Sequence, residues 1–526
     1  MRADLAAGRR RRGLVATCAV AVLLLLTACA TTAGKPAGAV ADKKPTIATP
    51  YAIDDLDPIT SGYWGVEFGY VELLMRASAN GVPTPWVLSE LAAVDDRTWR
   101  LKLNEGVAFV NGKPFDAKAL AATLAWSAEN QPSFSRSANF ASAKVTGPLE
   151  VTMKTTAPTP TMPNLLADES NVLVMDVEAY KEHVAAKKDA GALLEAGLYT
   201  GPYKVTSLDV KGAELAPVEN HWRGRPALEG LSVRFVAEAT SRVQAVQAGE
   251  VDLALYMPVS AARTLRGRTD AYFLKGEPTG LVFGLISRVA SPLMRDQAVR
   301  RAIYLATDYR AMAEDVLQGH AGHAKAVFPP GYPYTIETQE TDLNRAASEL
   351  DAAGWSTGGD GIREKNGRRL VIRILCTPSM PDGVTIATAM QSQLKKAGIE
   401  VKVVQVDDHS AARDGADWEV SLSSSLLSFG GSPDQALSEL LASGGTNNYA
   451  KIADDELDAH IAELGKTSDE KRRTEILGQI QRLVWDRGYY AVAAQRLLTV
   501  VAGPGWRGYR VPVPNLWVDH KTAPAI

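Results

Sequence analysis

Short apolar runs alternate along the chain with segments whose apolar residues recur at three- and four-residue spacing. The runs Trp99–Leu103, Glu150–Lys154, Gly230–Phe235, Thr279–Ile286, Leu370–Leu375, Glu400–Val406 and Glu419–Ser423 predict strands. The segments Asp116–Glu129, Ser241–Ala248, Asp296–Leu317, Leu343–Ala353, Val384–Lys396, Asp454–Leu464 and Ser468–Arg487 predict helices. In the last of these Ile476, Ile480, Leu483, Val484 and Arg487 keep the 3.6-residue period, with charges on the opposite face. Strands interleaved with helices over this length predict α/β lobes. Val110-Asn111-Gly112-Lys113-Pro114-Phe115 reads as a turn feeding a helix that starts near Asp116. The glycines from Gly354 to Gly361, followed by Asn366-Gly367, read as a helix end and then a hairpin.

The N-terminus follows a different pattern. Arg9–Arg12 precede an apolar run, Leu14–Leu26, that is too short for a membrane span of ~20 residues and suits a signal peptide. It ends in Leu26-Thr27-Ala28-Cys29, which resembles the lipobox of bacterial lipoproteins. That resemblance implies cleavage of residues 1–28 and a diacylglycerol thioether on Cys29. Residues 29–45, small, polar and Pro/Gly-containing, then form a flexible tether. The expectation is a protein held at the extracytoplasmic face of the cell membrane by lipid, with no other span.

Composition narrows the reading. The chain has 526 residues, 46% of them hydrophobic, and a net charge of −3. Residues 1–28 hold five arginines and one aspartate, so the rest carries −7. Such a body lacks the basic surplus of a nucleic-acid binder. Of three cysteines, Cys18 leaves with the signal and Cys29 takes lipid. Cys376 remains, alone in an apolar strand, and is expected in the core.

Several blocks, in order, identify a family. Leu56-Asp57-Pro58, Pro83-Thr84-Pro85-Trp86-Val87-Leu88 and the stretch Thr98–Asp116 resemble the opening of the family 5 solute-binding proteins of ABC importers. Thr200-Gly201-Pro202-Tyr203, Glu219-Asn220-His221-Trp222, Asp296–Ile303, Leu350–Trp355 and Gly444–Tyr449 resemble its later motifs. The resemblance runs from about residue 54 to 496. It implies an α/β, two-lobed, hinge-closing fold of the periplasmic-binding-protein type (type II), with an extra subdomain in the first lobe. Residues 46–286 plus 496–526 would form the first lobe and 287–495 the second. The implied partners are an ABC-transporter permease and a small solute, peptide or peptide-like. The alternatives are a nickel-type metal chelate, or a lipoprotein with a regulatory role in the cell envelope.

The same resemblance locates a pocket. In peptide-binding members an Asp four residues before the Pro of a second-lobe loop pairs with the peptide's α-ammonium; here that position is Phe429, before Pro433. A buried ammonium without a counter-ion is costly. The region is rich in serine (Ser421, Ser423, Ser424, Ser425, Ser428, Ser432) and uncharged. The expectation is therefore a ligand with fewer fixed charges than a free dipeptide, or one that turns its charge toward water. Tyr63 and Trp64 are candidate aromatic walls, or packing on the lobe surface. Arg136 is a candidate carboxylate clamp, or a solvated cation. Ser432, Asn447 and Asn448 are candidate polar contacts, the asparagines equally suited to turns. His320 and His323, three apart beside glycines, make a poor metal pair. No catalytic motif appears, so no enzyme, cofactor or resident metal is expected.

Overall fold

The computed structural model describes residues 43–78, 80–186, 190–428, 432–512 and 516–525. Its backbone is one ten-stranded mixed sheet that both lobes share. From one edge to the other the strands are Glu400–Gln405, Val371–Cys376, Val420–Leu426, Tyr272–Ser287, Tyr490–Ala502, Leu253–Leu255, Thr46–Thr49, Leu231–Phe235, Gly212–Pro217 and Tyr203–Asp209. The two long strands in the middle, Tyr272–Ser287 and Tyr490–Ala502, are antiparallel partners and pass through both lobes. Their first contact, Tyr272–Lys275 against Ala502–Thr499, belongs to the side that also pairs with Leu253–Leu255. Beyond a break, Val282–Ile286 pairs with Gln495–Tyr490 and, on its other edge, with Val420–Leu426.

The break has a chemical cause. Register shifts fall between Lys275 and Pro278 and between Pro278 and Val282. Proline has no N–H to give to a ladder, and Gly280 sits at φ +87°, where only glycine is comfortable. The sheet is thus continuous through the molecule but loosened at one short stretch.

Each side of the break has its own core. One cluster includes Val282, Ile303, Tyr309, Ile374, Ile386, Trp418 and Ile480. Another is built around Ile47, Phe68, Tyr203, Val233, Val500, Trp506 and Trp517. A third fills a subdomain in which helix Ala117–Asn130 covers a four-stranded antiparallel sheet ordered Leu88–Asp95, Thr98–Leu103, Glu150–Thr155, Phe140–Gly147. Cys376 is fully buried in the first of these cores and unpaired.

Most of the expected elements form within a residue or two of their expected ends. Aspartate is the recurrent helix signal. Asp116 accepts from Lys118 and Ala119 N–H, and Asp296, Asp342, Asp454 and Asp469 cap their helices in the same way. The single helix expected over Asp296–Leu317 is a correction: helix Gln297–Leu305 stops, and Asp308 caps a new turn that continues as a π-helical stretch, Met312–Val316. The Asn366-Gly367 hairpin does form, with both residues at positive φ, as a type I′ turn requires. Among the described residues no helix is long and apolar enough to cross a membrane.

A Cβ added at Gly280 would lie 2.2 Å from Ser428 Oγ, on top of the left-handed φ. Gly280→Ala is expected to lower stability by about 1–3 kcal/mol. A thermal unfolding scan checks this, and an unchanged midpoint would show that the loosened stretch tolerates a side chain.

Candidate functional site

At the loosened stretch the two lobes face each other across a cavity of about 620 Å³. Its floor is the hinge pair itself, through Phe283, Arg496, Leu497 and Thr499. One wall comes from the first lobe, through Tyr51, Arg242 and the 256–259 loop. The other comes from the second lobe, through the 377–382 loop, His409, Arg413, Ser423 and Ser424.

The first-lobe wall is held from behind. Buried Arg242 donates from Nη1 to the carbonyls of Val236 and Ala237, both at 2.7 Å, and from Nη2 to that of Tyr256 at 3.3 Å. Thr499 Oγ1 donates to Met257 O at 2.5 Å, fastening the same loop to the hinge strand. Tyr256 takes a positive φ, 54°, unusual for a non-glycine residue. Its ring meets Tyr51 and Trp517 edge-on at 5.1 and 5.0 Å, and its Oη donates to the Glu67 carboxylate at 2.8–2.9 Å. Trp517 Nε1 donates to Glu67 Oε2 at 3.1 Å. Burial nevertheless dominates, and pushes the Glu67 carboxyl up to about 8 against those two hydrogen bonds.

The second-lobe wall reaches across at one point. Asp382, in the first turn of helix Pro381–Lys395, accepts from the Val259 N–H at 3.1 and 3.3 Å. Burial pushes its carboxyl up to about 6, opposed by that N–H and by the charge of Arg496. Arg496 Nη1 donates to Ser424 Oγ at 2.7 Å. Four of the serines read as a pocket loop (Ser421, Ser423, Ser424 and Ser425) instead lie on strand Val420–Leu426. There they pair with Val282–Ile286 on one edge, and Ser421 also with Leu375 on the other. Ser423 and Ser424 line the cavity, while Ser421 is buried with its Oγ 3.3 Å from His409 Nε2.

The residues proposed from sequence fall in several places. Tyr63 is 39% exposed and packs on Trp64 at a 4.4 Å ring separation; burial, Glu67 and Glu169 push its phenol up to about 12. Trp64 is buried and lies behind Tyr51 at 5.3 Å. Arg136 and Ser432 line a second cavity, about 530 Å³, between the subdomain and the second lobe. That gap is latched by Gln435 Nε2 donating to Ser133 Oγ at 2.8 Å and by the Arg136–Glu439 pair at 3.6 Å. Ser432 Oγ donates to Asp434 at 2.6 Å, and Asp434 pairs with Arg473 at 2.7 Å. Asn447 Nδ2 donates to Glu439 Oε2 at 3.1 Å. Asn448 is turned inward: its amide donates to Ala442 O and Ile452 O and accepts from Ile452 N–H, which commits it to its own loop. Phe429 and Cys29 lie outside the described residues. His320 lines the first cavity against Phe273, at 4.8 Å, while His323 is exposed. No group of three or more His, Cys, Asp or Glu able to hold a metal occurs among the described residues.

Sequence reasoning passed over Tyr51, Arg242, Tyr256, Asp382 and Arg496. Only Arg496 left a signal, as the one charge inside the apolar run Tyr490–Ala502. Tyr51 and Tyr256 lie in loops and Arg242 and Asp382 on helices Ala239–Gln247 and Pro381–Lys395, none of them within a motif.

Glu67 yields a pH prediction. Its carboxyl ionises near 4.5 when unfolded and near 8 when folded, so its contribution to stability is complete below pH 4.5 and is lost as pH rises to 8. Glu67→Gln is expected to flatten the fall in melting temperature between pH 6 and 9, by the equivalent of a few kcal/mol. Parallel pH-dependent slopes in the two proteins would contradict this.

The comparisons with known proteins agree with this geometry. The model of the bacterial extracellular solute-binding proteins, family 5, matches residues 82–448. Protein XP55 of Streptomyces lividans is 30% identical over 430 residues, 75% of this chain and 72% of that protein. The probable D,D-dipeptide-binding periplasmic protein DdpA of Escherichia coli is 24% identical over 477 residues, 85% of this chain and 87% of that one. The crystal structure of NikA from Staphylococcus aureus in complex with Ni(L-His)2 superposes with a TM-score of 0.74 at 21% identity, covering 92% of this chain and all of that one. With a hinge-centred cleft, two lobes and a family match over most of its length, the chain belongs to the family 5 bacterial extracellular solute-binding proteins.

Proposed function

We propose that this chain is the membrane-anchored receptor of an ABC importer, capturing a peptide or peptide-like small solute outside the cytoplasm and handing it to a permease. The observation that carries the reading is the 620 Å³ cavity on the hinge strands, with one wall from each lobe. A solute that touches both walls binds the closed form better than the open one, and so shifts the population toward closure. The volume falls within the usual range for small-molecule sites, ~300–1,000 Å³. Its family consists of solute-binding receptors, which accords with a non-enzymatic role. In this reading residues 1–28 are removed, Cys29 carries lipid and 29–45 are tether. Residues 46–286 plus 496–526 then form the lobe that closes against 287–495. Tyr63, Trp64, Arg136, Phe429, Ser432 and Asn447 are the further candidate ligand contacts.

DdpA is named for dipeptides, which favours the peptide reading. The S. aureus NikA structure holds Ni(L-His)2, and His320 and His409 in the cavity wall favour a chelate of that kind as the second reading.

Two measurements test the proposal. Native mass spectrometry of the purified protein, before and after gentle denaturation, is expected to release a discrete solute. A peptide mass supports the first reading, a nickel chelate the second. No released mass, together with no thermal stabilisation by dipeptides or by nickel–histidine, would count against a receptor. Cys29→Ala is expected to move the protein from the membrane fraction to the soluble extracytoplasmic fraction. Retention in the membrane would refute the lipid anchor.

A further inference from the structure

Several arginines of this protein have a carboxylate partner: Arg301 pairs with Glu349, Arg363 with Asp351, Arg373 with Glu419 and Arg473 with Asp434. Others do not, and buried Arg300 is held by backbone carbonyls. The arginines of the cleft are of the second kind. Arg242, Arg413 and Arg496 all line the 620 Å³ cavity, and none forms an ion pair among the described residues. Arg242 is solvated by three backbone carbonyls and keeps a buried Nε without a partner. Arg413 stacks on the Tyr449 ring at 4.3 Å, and its Nε is likewise buried and unpartnered. Arg496 makes one side-chain hydrogen bond, to Ser424, with five N–H donors, and its guanidinium lies 5.9 Å from the Phe283 ring centre. Two carboxylates share the wall. Glu238 is exposed at the mouth, and Asp382 is engaged by the Val259 N–H.

We propose, building on the receptor reading above, that the solute is an anion without a compensating ammonium, and that its acidic group seats against the guanidinium of Arg496. The other two guanidiniums belong to the lining of the same cavity, Arg242 on helix Ala239–Gln247 and Arg413 on helix His409–Asp414. An acidic group in a partly dry cleft gains charge-assisted hydrogen bonds from such donors, whereas an ammonium there meets three like charges against two carboxylates. The N-blocked or amine-free acid this describes fits the absence of an amine-binding carboxylate at residue 429 in the sequence.

The test uses matched probes on the purified protein: N-acetyl-Ala-Ala, its C-terminal amide, and Ala-Ala-amide, which carries only the ammonium. Calorimetry is expected to show binding of the acid at least tenfold tighter than of either amide. Arg496→Gln is expected to remove that advantage. Arg310→Gln, at an exposed residue paired with Glu314, serves as the control and is expected to leave it intact. Phenylglyoxal labelling gives a readout that needs no variant: the acid is expected to protect Arg496. Equal binding of acid and amide, preference for Ala-Ala-amide, or an Arg496→Gln protein that still prefers the acid would overturn the proposal. If no probe binds but native mass spectrometry releases a solute, that solute's charge decides: an anion upholds the proposal and a neutral or cationic solute overturns it. Absence of any solute by either route fails the receptor reading itself, and this inference with it.

Discussion

The antiparallel pairing of Tyr272–Ser287 with Tyr490–Ala502 is the constraint on which the rest depends. Among the described residues these two strands alone run through both sides of the sheet, so the relative position of the lobes passes through their ladder. A uniform ladder would resist bending. Pro278 and Gly280 interrupt this one, and the cavity floor lies on the same stretch. The interruption and the cavity floor are thus direct neighbours, Pro278 pairing with Leu497 of the floor. Among the described residues, polar contacts between lobes include Asp382 with the Val259 N–H, Gln435 with Ser133, and Arg136 with Glu439, and Val259 also packs into the second-lobe core. An exposed ion pair contributes ~0–1 kcal/mol, too little to hold the lobes together alone. A solute contacting both walls can then decide the balance.

A cleft that closes on a ligand works best if its walls do not have to be ordered at that moment. The first-lobe wall meets this need with buried polar groups. Arg242 gathers the 236–237 and 256 carbonyls, Thr499 ties down Met257, and Glu67 joins Tyr256 to Trp517 from the far end of the chain. The C-terminal segment thus completes the wall. The cost is a carboxyl that burial holds largely protonated at neutral pH. The strained φ of Tyr256 is held in place by the same contacts.

The sequence exposes these features unevenly. Helix starts were legible because aspartate caps act within four residues, and the Asn366-Gly367 hairpin because its turn chemistry is local. The helix break after Leu305 was not, since Thr307 and Asp308 fit a continuous helical period while the Asp308 carboxylate starts a new turn. Strand Phe140–Gly147 was missed because it lies at a sheet edge and is mostly exposed, so it shows no apolar alternation. Motifs carried the family but not the cavity lining. Asn448, in such a motif, spends its amide on its own loop, while Arg242, Asp382 and Arg496 reach the cavity from two helices and a strand far apart in sequence.

Charge then gives the hinge a direction. Arg242 and Arg413 sit on opposite walls of a cavity whose three arginines outnumber its two carboxylates, Glu238 and Asp382, so drawing the walls together without a ligand brings like charges into a drier space. That repulsion opposes empty closure, while the Asp382–Val259 contact favours it. An anion entering between the walls turns the unfavourable pair into two favourable ones. The free energy it releases is then larger in the closed form than in the open, which is the differential affinity a hinge receptor needs. A neutral solute would leave the repulsion in place and would have to close the lobes through contact area alone. The unpaired guanidiniums are thus costly in the empty protein and useful only when an acidic group is bound.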